Sequence, residues 1–328
     1  FFLDDIRKLI SVLRAEGVPV ITGGVGYSVI PDGIRRYVGA DYGIHGPGER
    51  ALPKFLDLFG EDVPPRGTVV NGWDSGIDPE FVPDRTGFID HARYVSEGGL
   101  LGFETQKGCK GRCPYCTEAR GVVLHRHPES VADELAALSA RGFNEFHLCD
   151  AEFNQNVEYC KSVLKAIIRK APGIRWALYI KSEPYDATFF KLLAESGAHL
   201  VTLSIPTGPA WHRHARSIRD MARDNGIRLA VDYLCGLPGE SPAMIRRDIE
   251  QLRTIDPDSI GVNSSLRLYP ELAITNTILD DPELHQYLSD PDSGRKAPDY
   301  IRPIFYTRIT VDMLRSYIGD DPRFTIEG

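Results

Sequence analysis

The chain has 328 residues, enough for one large or two ordinary domains with ample core. With 42% apolar and 26% charged residues it reads as globular, and its formal net charge of −8 argues against a general binder of nucleic acid or acidic membrane. No apolar run approaches the length of a membrane span, no charged-then-apolar leader opens the chain, and six cysteines in a chain of this size make no disulfide framework, so a reducing cytoplasm is the expected compartment.

The sequence opens at Phe1 in what reads as mid-helix, so a fragment or a processed chain is expected. Ile6, Leu9, Ile10 and Leu13 follow helical spacing, Gly17 sits at a helix stop, and Val18 to Thr22 reads as a short buried strand. The pattern then repeats: a glycine turn at Gly23-Gly24, a short helix, a strand from Tyr42 to Ile44, and a second glycine turn at Gly46-Pro47-Gly48. This predicts half of an open α/β sheet over 1–60. Residues 61–100, rich in Pro, Gly and Asp, read as a linker.

From Leu101 strand-like and helix-like segments alternate. The strands are predicted at 101–106, 143–149, 174–180, 199–205, 227–235 and 259–266, with helices between them. Ser130 and Asp133 resemble a capping box opening one helix; others are predicted at Val157 to Lys170, Ala187 to Ser196, Trp211 to Asn225 and Pro242 to Thr254. Six such units predict an α/β fold with a parallel sheet curled into an open (β/α)6 partial TIM barrel over 101–270, its chemistry at the C-terminal strand ends. Residues 271–328 form an extension outside that pattern.

The run QKGCKGRCPYCTEARG places Cys109, Cys113 and Cys116 at Cys-x3-Cys-x2-Cys spacing just after the first barrel strand. Three thiolates on one loop are one ligand short of a closed four-thiolate site, and an open position marks a reactive centre. Gly108, Gly111 and Pro114 suit a tight backbone turn around a cluster. A zinc site completed by His125 or His127 is the alternative reading of the same loop. Cys149, Cys160 and Cys235 read mainly as packing residues, and Trp211, His212 and His214 as a helix start or the wall of a pocket.

The cysteine loop, Tyr115 before its last cysteine, and the six-fold pattern resemble the radical S-adenosylmethionine (SAM) superfamily. The resemblance implies a 4Fe-4S cluster on Cys109, Cys113 and Cys116, with SAM chelating the fourth iron. It further implies SAM contacts at Tyr115, at Asp150 and Glu152 of Cys149-Asp150-Ala151-Glu152, at Ser204, and at Gly236 within Tyr233–Glu240, and substrate contacts at Arg267 or Tyr269. The first segment resembles the second half of the Rossmann-like cobalamin-binding domain of the family's cobalamin-dependent branch, through Gly23, Gly24, Ser28, Gly46, Gly48 and Glu49. Together these resemblances imply a cobalamin-dependent methyltransferase acting on an unactivated carbon of a natural-product-like small molecule or peptide. It would draw electrons from a donor such as flavodoxin or ferredoxin and need no nucleic acid or membrane partner. A ring rearrangement without methyl transfer, and a non-catalytic electron-transfer or metal-binding module, are the rival expectations.

Overall fold

The computed structural model describes residues 2–85, 89–119, 121–205, 211–290 and 298–327. The chain divides into two compact units, one of residues 1–78 with 267–306, the other of residues 79–266 with 307–328. The division falls inside the stretch expected to be a linker, and the first unit takes back residues expected to belong to the barrel and its extension.

In the first unit three strands, β1 (Ile21–Thr22), β2 (Tyr42–His45) and β3 (Val69–Asn71), run parallel in that order. Helices α1 (Leu3–Ala15), α2 (Val25–Ser28), α3 (Pro31–Val38), α4 (Ala51–Glu61) and α5 (Gly72–Ser75) surround them. Ile10, Val38 and Ala40 form a small core where α1 meets α3. Strand β1 is shorter than expected: Val18 is exposed, and only Ile21 and Thr22 pair with β2. Strand β3 and α5 lie in the expected linker. Their short stretch, Val69-Val70-Asn71-Gly72, carries too little periodicity to stand out.

The second unit holds the barrel. After α6 (His91–Ser96) come β4 (Leu101–Phe103), the hairpin strands β5 (Gln106–Lys107) and β6 (Leu124–His125), and α7 (Pro128–Ser139). Strands β7 (Glu145–Leu148), β8 (Arg175–Lys181), β9 (Ala198–Ser204), β10 (Arg228–Leu234) and β11 (Ser259–Asn263) alternate with α8 (Val157–Lys170), α9 (Ala187–Glu195), α10 (Trp211–Asp224) and α11 (Pro242–Ile255). Each barrel strand pairs in parallel with its neighbours in chain order. All six predicted strands are present within a few residues of the expected bounds. Past β12 (Ser265–Leu268), α12 (Ala273–Asp280), β13 (Ile304–Thr307) and α13 (Val311–Ile318), strand β14 (Phe324–Glu327) adds a seventh parallel strand beside β11. It was not expected: four residues reached after a long detour give no αβ repeat to read.

Helix starts follow local chemistry. Asn156 caps α8 by accepting from the Tyr159 N–H, Asp186 caps α9 through Phe189 N–H, and Ser241 with Pro242 opens α11. The expected capping box in α7 is absent. Pro128, with its φ already helical, starts that helix ahead of Ser130, which is buried within it. Trp176, Phe103, Phe146, Phe153 and Phe189 fill the space between strands and helices, and the Trp176 indole N–H donates to Ser196 C=O (3.0 Å). Among the described residues no helix is long and apolar enough to cross a membrane.

Candidate active site

The cysteine loop leaves β4 at the C-terminal end of the barrel. Its base is fixed by Asp150, buried, which accepts from Thr105 N–H (2.7 Å), Thr105 Oγ1 (2.5 Å) and Gln106 N–H (3.2 Å). Hairpin β5–β6 closes the loop from the other side, and Gly121 N–H donates to Cys109 C=O (2.9 Å). Gly108 turns the chain with φ +86° just before Cys109. Buried Gln155 clamps the turn twice: its Oε1 accepts from Lys110 N–H (2.6 Å) and its Nε2 donates to Gly108 C=O (3.1 Å). Sequence reading missed Gln155, because a glutamine two residues before a helix carries no pattern of its own.

Cys109 is buried, Cys116 half-buried and Cys113 exposed. A Cβ added at Gly111 would lie 3.1 Å from Cys109 Sγ and 3.9 Å from Cys113 Sγ, so both sulfurs lie beside the Gly111 backbone and the first approaches it closely. The Gly111 N–H also donates to Cys109 Sγ (3.2 Å). Burial pushes the Cys109 and Cys116 thiols up, and backbone N–H groups oppose it, from Gly111 for Cys109 and from Glu118 and Ala119 for Cys116. The Tyr115 phenol is raised by burial and by its hydrogen bond and proximity to Cys113, which places it on the same sulfur group. Soft thiolates gathered on one loop fit an iron–sulfur cluster, in which each sulfur takes its own iron. Among the described residues no three His, Cys, Asp or Glu side chains converge on one metal ion. His125 packs its ring on Tyr159 at 4.2 Å and His127 stands at the start of α7.

Around the loop the inward positions of the strands are polar. In the uppermost row Lys181 pairs with Ser204, and Ser204 with Asp232. Glu152 is hydrogen-bonded to Ser204, while its buried Oε2 has no hydrogen-bond partner. Burial lifts its carboxyl to about 7; Ser204 and Lys181 pull it down and Asp232 pushes it up. A desolvated carboxylate oxygen left open beside the thiols suits a cationic ligand group. Asp150 is also lifted to about 7 by burial against its three donors, but its oxygens are taken by Thr105 and Gln106, so it braces the loop. Gly236 (φ +82°) is likewise engaged: its N–H and that of Leu237 both donate to Glu240 Oε2 (2.7 and 3.1 Å), and a Cβ would meet Ile309 at 3.2 Å.

Two groups here were not foreseen. A Cβ at Gly261 would lie 3.1 Å from Asp232 Oδ1 and 3.3 Å from Glu327 Oε1, so the seventh strand brings a second carboxylate against Asp232. Asp232 is raised by burial and by Glu327, and is hydrogen-bonded to Tyr179. Cys149, expected to pack, is exposed, with its sulfur 2.7 Å from where a Gly102 Cβ would stand; Cys160 and Cys235 are buried as expected. Trp211 joins the barrel core, and His214 Nδ1 hydrogen-bonds Tyr185 Oη (3.2 Å).

In the first unit Ser28 ties the glycine turns together: its hydroxyl donates to Gly24 C=O (2.8 Å) and accepts from Gly46 N–H (2.9 Å). Gly24 (φ +94°) and Gly48 have nothing within 4 Å of an added Cβ, so their backbone faces are open to a ligand, whereas Gly46 is closed by Trp73. Glu49 follows Gly48 at the approach to α4 and takes no part in the Ser28 bonds. Gly23 borders a cavity of about 390 Å³ with Thr22, Gly26 and Tyr27. Arg267 and Tyr269, expected to face substrate, belong to this unit and line that cavity.

Residues 103–252 match the profile of the radical SAM superfamily. The chain is 25% identical, over 85% of its length, to a tryptophan 2-C-methyltransferase of Streptomyces laurentii, and 31% identical, over 41%, to a cytidylyl-2-hydroxyethylphosphonate methyltransferase of Streptomyces wedmorensis. It spans 61% of the first relative and 28% of the second. Its fold is that of the radical S-adenosylmethionine methyltransferase TsrM of Kitasatospora setae, solved with tryptophan and a SAM analogue; the TM-score is 0.86 at 23% identity, covering 100% of this chain and 76% of that one. A second structure of that protein, with cobalamin and a [4Fe-4S] cluster bound, gives a TM-score of 0.84 at 22% identity, covering 100% of this chain and 78% of that one. Residues 103–252 thus form a domain that matches the radical SAM superfamily.

Proposed function

We propose that this protein is a cobalamin-dependent radical SAM methyltransferase that methylates an unactivated carbon of a small molecule, with tryptophan and related indoles the first substrates to try. The observation that carries the reading is the convergence of the Cys109 and Cys113 sulfurs beside Gly111, with the unpartnered Oε2 of Glu152 near them. The relatives support it, since both are carbon or phosphonate methyltransferases by name. When bound, the cluster, SAM and cobalamin supply the electron and the methyl group.

The chain's own residues bind and orient. Cys109, Cys113 and Cys116 hold the cluster, and Gln155 and Asp150 fix the loop that carries them. Glu152 takes the ammonium of SAM and Ser204 keeps that carboxylate in place. The open faces of Gly24 and Gly48 take the corrinoid. An external flavodoxin- or ferredoxin-type donor and a reducing cytoplasm complete the reading. The test is anaerobic reconstitution with iron, sulfide, cobalamin and SAM, followed by detection of S-adenosylhomocysteine and a methylated indole. Deoxyadenosine without S-adenosylhomocysteine favours a rearrangement and contradicts methyl transfer.

A further inference from the structure

Residues 79–85 form a strap that begins where the first unit ends, at Asp78. Its bonds run to the root of the cysteine loop. Pro79 C=O accepts from His127 N–H (2.6 Å), and Phe81 C=O accepts from the Arg126 guanidinium (2.9 Å). The Arg85 guanidinium donates to Gly102 C=O (2.6 Å) and pairs with Glu134 (2.5 Å). Glu134 also holds Arg126 (2.7 Å), and both of these are buried. Arg126 in turn donates to Glu104 C=O (2.8 Å), and its N–H to Thr105 C=O (2.9 Å). Thr105 is the residue that Asp150 grips beneath the cysteine loop. One buried carboxylate therefore ties both the strap and the loop's root.

The apolar side chains of the strap contribute little to holding it, since Phe81 is 45% and Val82 41% exposed. Its hold comes from the ion cluster. A buried ion pair adds modest net stability, yet losing one partner is costly, so such a strap is either fully latched or released. Upstream, Asp78 pairs with Arg50 (3.9 Å), two residues past Gly48, whose open face is read above as facing the corrinoid.

We propose that the strap is a clasp that couples occupancy of the corrinoid site to the order of the cysteine loop. A filled first unit keeps the strap latched on Glu134, and the latched strap keeps Glu104 and Thr105 in place under the loop. The inference rests on the cobalamin reading and goes beyond it, because it makes each cofactor's hold depend on the other through the chain itself. Such coupling is reciprocal: the factor by which cobalamin steadies the cluster loop is the factor by which the cluster tightens cobalamin.

The test measures cobalamin affinity of the purified protein by absorbance titration, with and without its reconstituted cluster, and hydrogen exchange at residues 105–119. The unaltered protein should bind cobalamin at least about fivefold more tightly with the cluster in place, and cobalamin should slow exchange in the loop. In Arg85→Gln both effects should vanish, while cobalamin affinity of the cluster-free protein stays unchanged. Insertion of two glycines between Asp78 and Pro79 keeps every bond of the strap and slackens only its link to the first unit. It should abolish the coupling in the same way. Coupling that survives the insertion overturns the proposal and leaves the cobalamin reading standing, as does an unaltered protein whose cobalamin affinity ignores the cluster. Failure of cobalamin to bind either form contradicts the cobalamin reading, and the clasp with it.

Discussion

Replacing Gln155 with alanine tests whether the cysteine loop is held by the barrel or folds on its own around its cluster. The change removes two hydrogen bonds, from Lys110 N–H at 2.6 Å and to Gly108 C=O at 3.1 Å. Water can replace the first, which is only partly buried, so its loss costs about 1 kcal/mol. The second lies in a buried setting, and an orphaned carbonyl there costs about 1–2 kcal/mol. The sum, about 2–3 kcal/mol, lowers the ratio of formed to open loop roughly 30- to 150-fold. Hydrogen exchange at the amides of residues 106–119 should accelerate by that factor in Gln155→Ala, with the barrel strands unchanged, and iron retained after gel filtration should fall. Gln155→Met, which restores volume but no hydrogen bonds, should behave like the alanine variant. Wild-type exchange in both variants would refute the clamp.

Three more outcomes rest on the same geometry. Glu134, buried, receives Arg85 (2.5 Å) and Arg126 (2.7 Å); Glu134→Ala leaves two guanidiniums without their counter-ion and should cost about 3–5 kcal/mol, read as a large drop in urea midpoint. His91 is buried beside Arg85 and Arg141, and burial first, then those charges, lower its pKa. The folded state thus keeps the ring neutral while the unfolded chain protonates near its ordinary ~6.5, so stability falls as pH drops below that value. His91→Phe should flatten that acid slope in unfolding curves at pH 7.5 and 5.5; an unchanged slope contradicts the assignment. Glu152→Gln should weaken SAM binding at least about tenfold in equilibrium dialysis without changing iron content, whereas Asp150→Asn should lower iron content first.

Much of the barrel was legible because each unit pairs a strand with an amphipathic helix of ordinary length, and local capping by Asn156, Asp186 and Ser241 fixes where helices begin. The cysteine loop was legible because three ligands sit within eight residues. What escaped has a common cause: contacts between residues far apart in sequence. Glu327 meets Asp232 across Gly261, and Arg85 reaches Glu134, with no local pattern to announce either. The acidic stretch after β7 shows the limit most sharply. Asp150 and Glu152 look alike in sequence, yet one spends its oxygens on Thr105 and Gln106 while the other keeps Oε2 unpartnered. The return of Arg267 to the first unit depends on where the chain leaves β11, which periodicity does not encode.

The central claim is that one chain joins a three-thiolate cluster, SAM and cobalamin to move a methyl group. Its most direct measurement is S-adenosylhomocysteine release by the anaerobically reconstituted protein, with and without cobalamin, alongside Cys113→Ala. The account predicts release with the native protein that depends on cobalamin, accompanied by a methylated product, and loss of product formation together with iron in Cys113→Ala. Release that is indifferent to cobalamin, or a Cys113→Ala protein that keeps a full cluster and full activity, would contradict it.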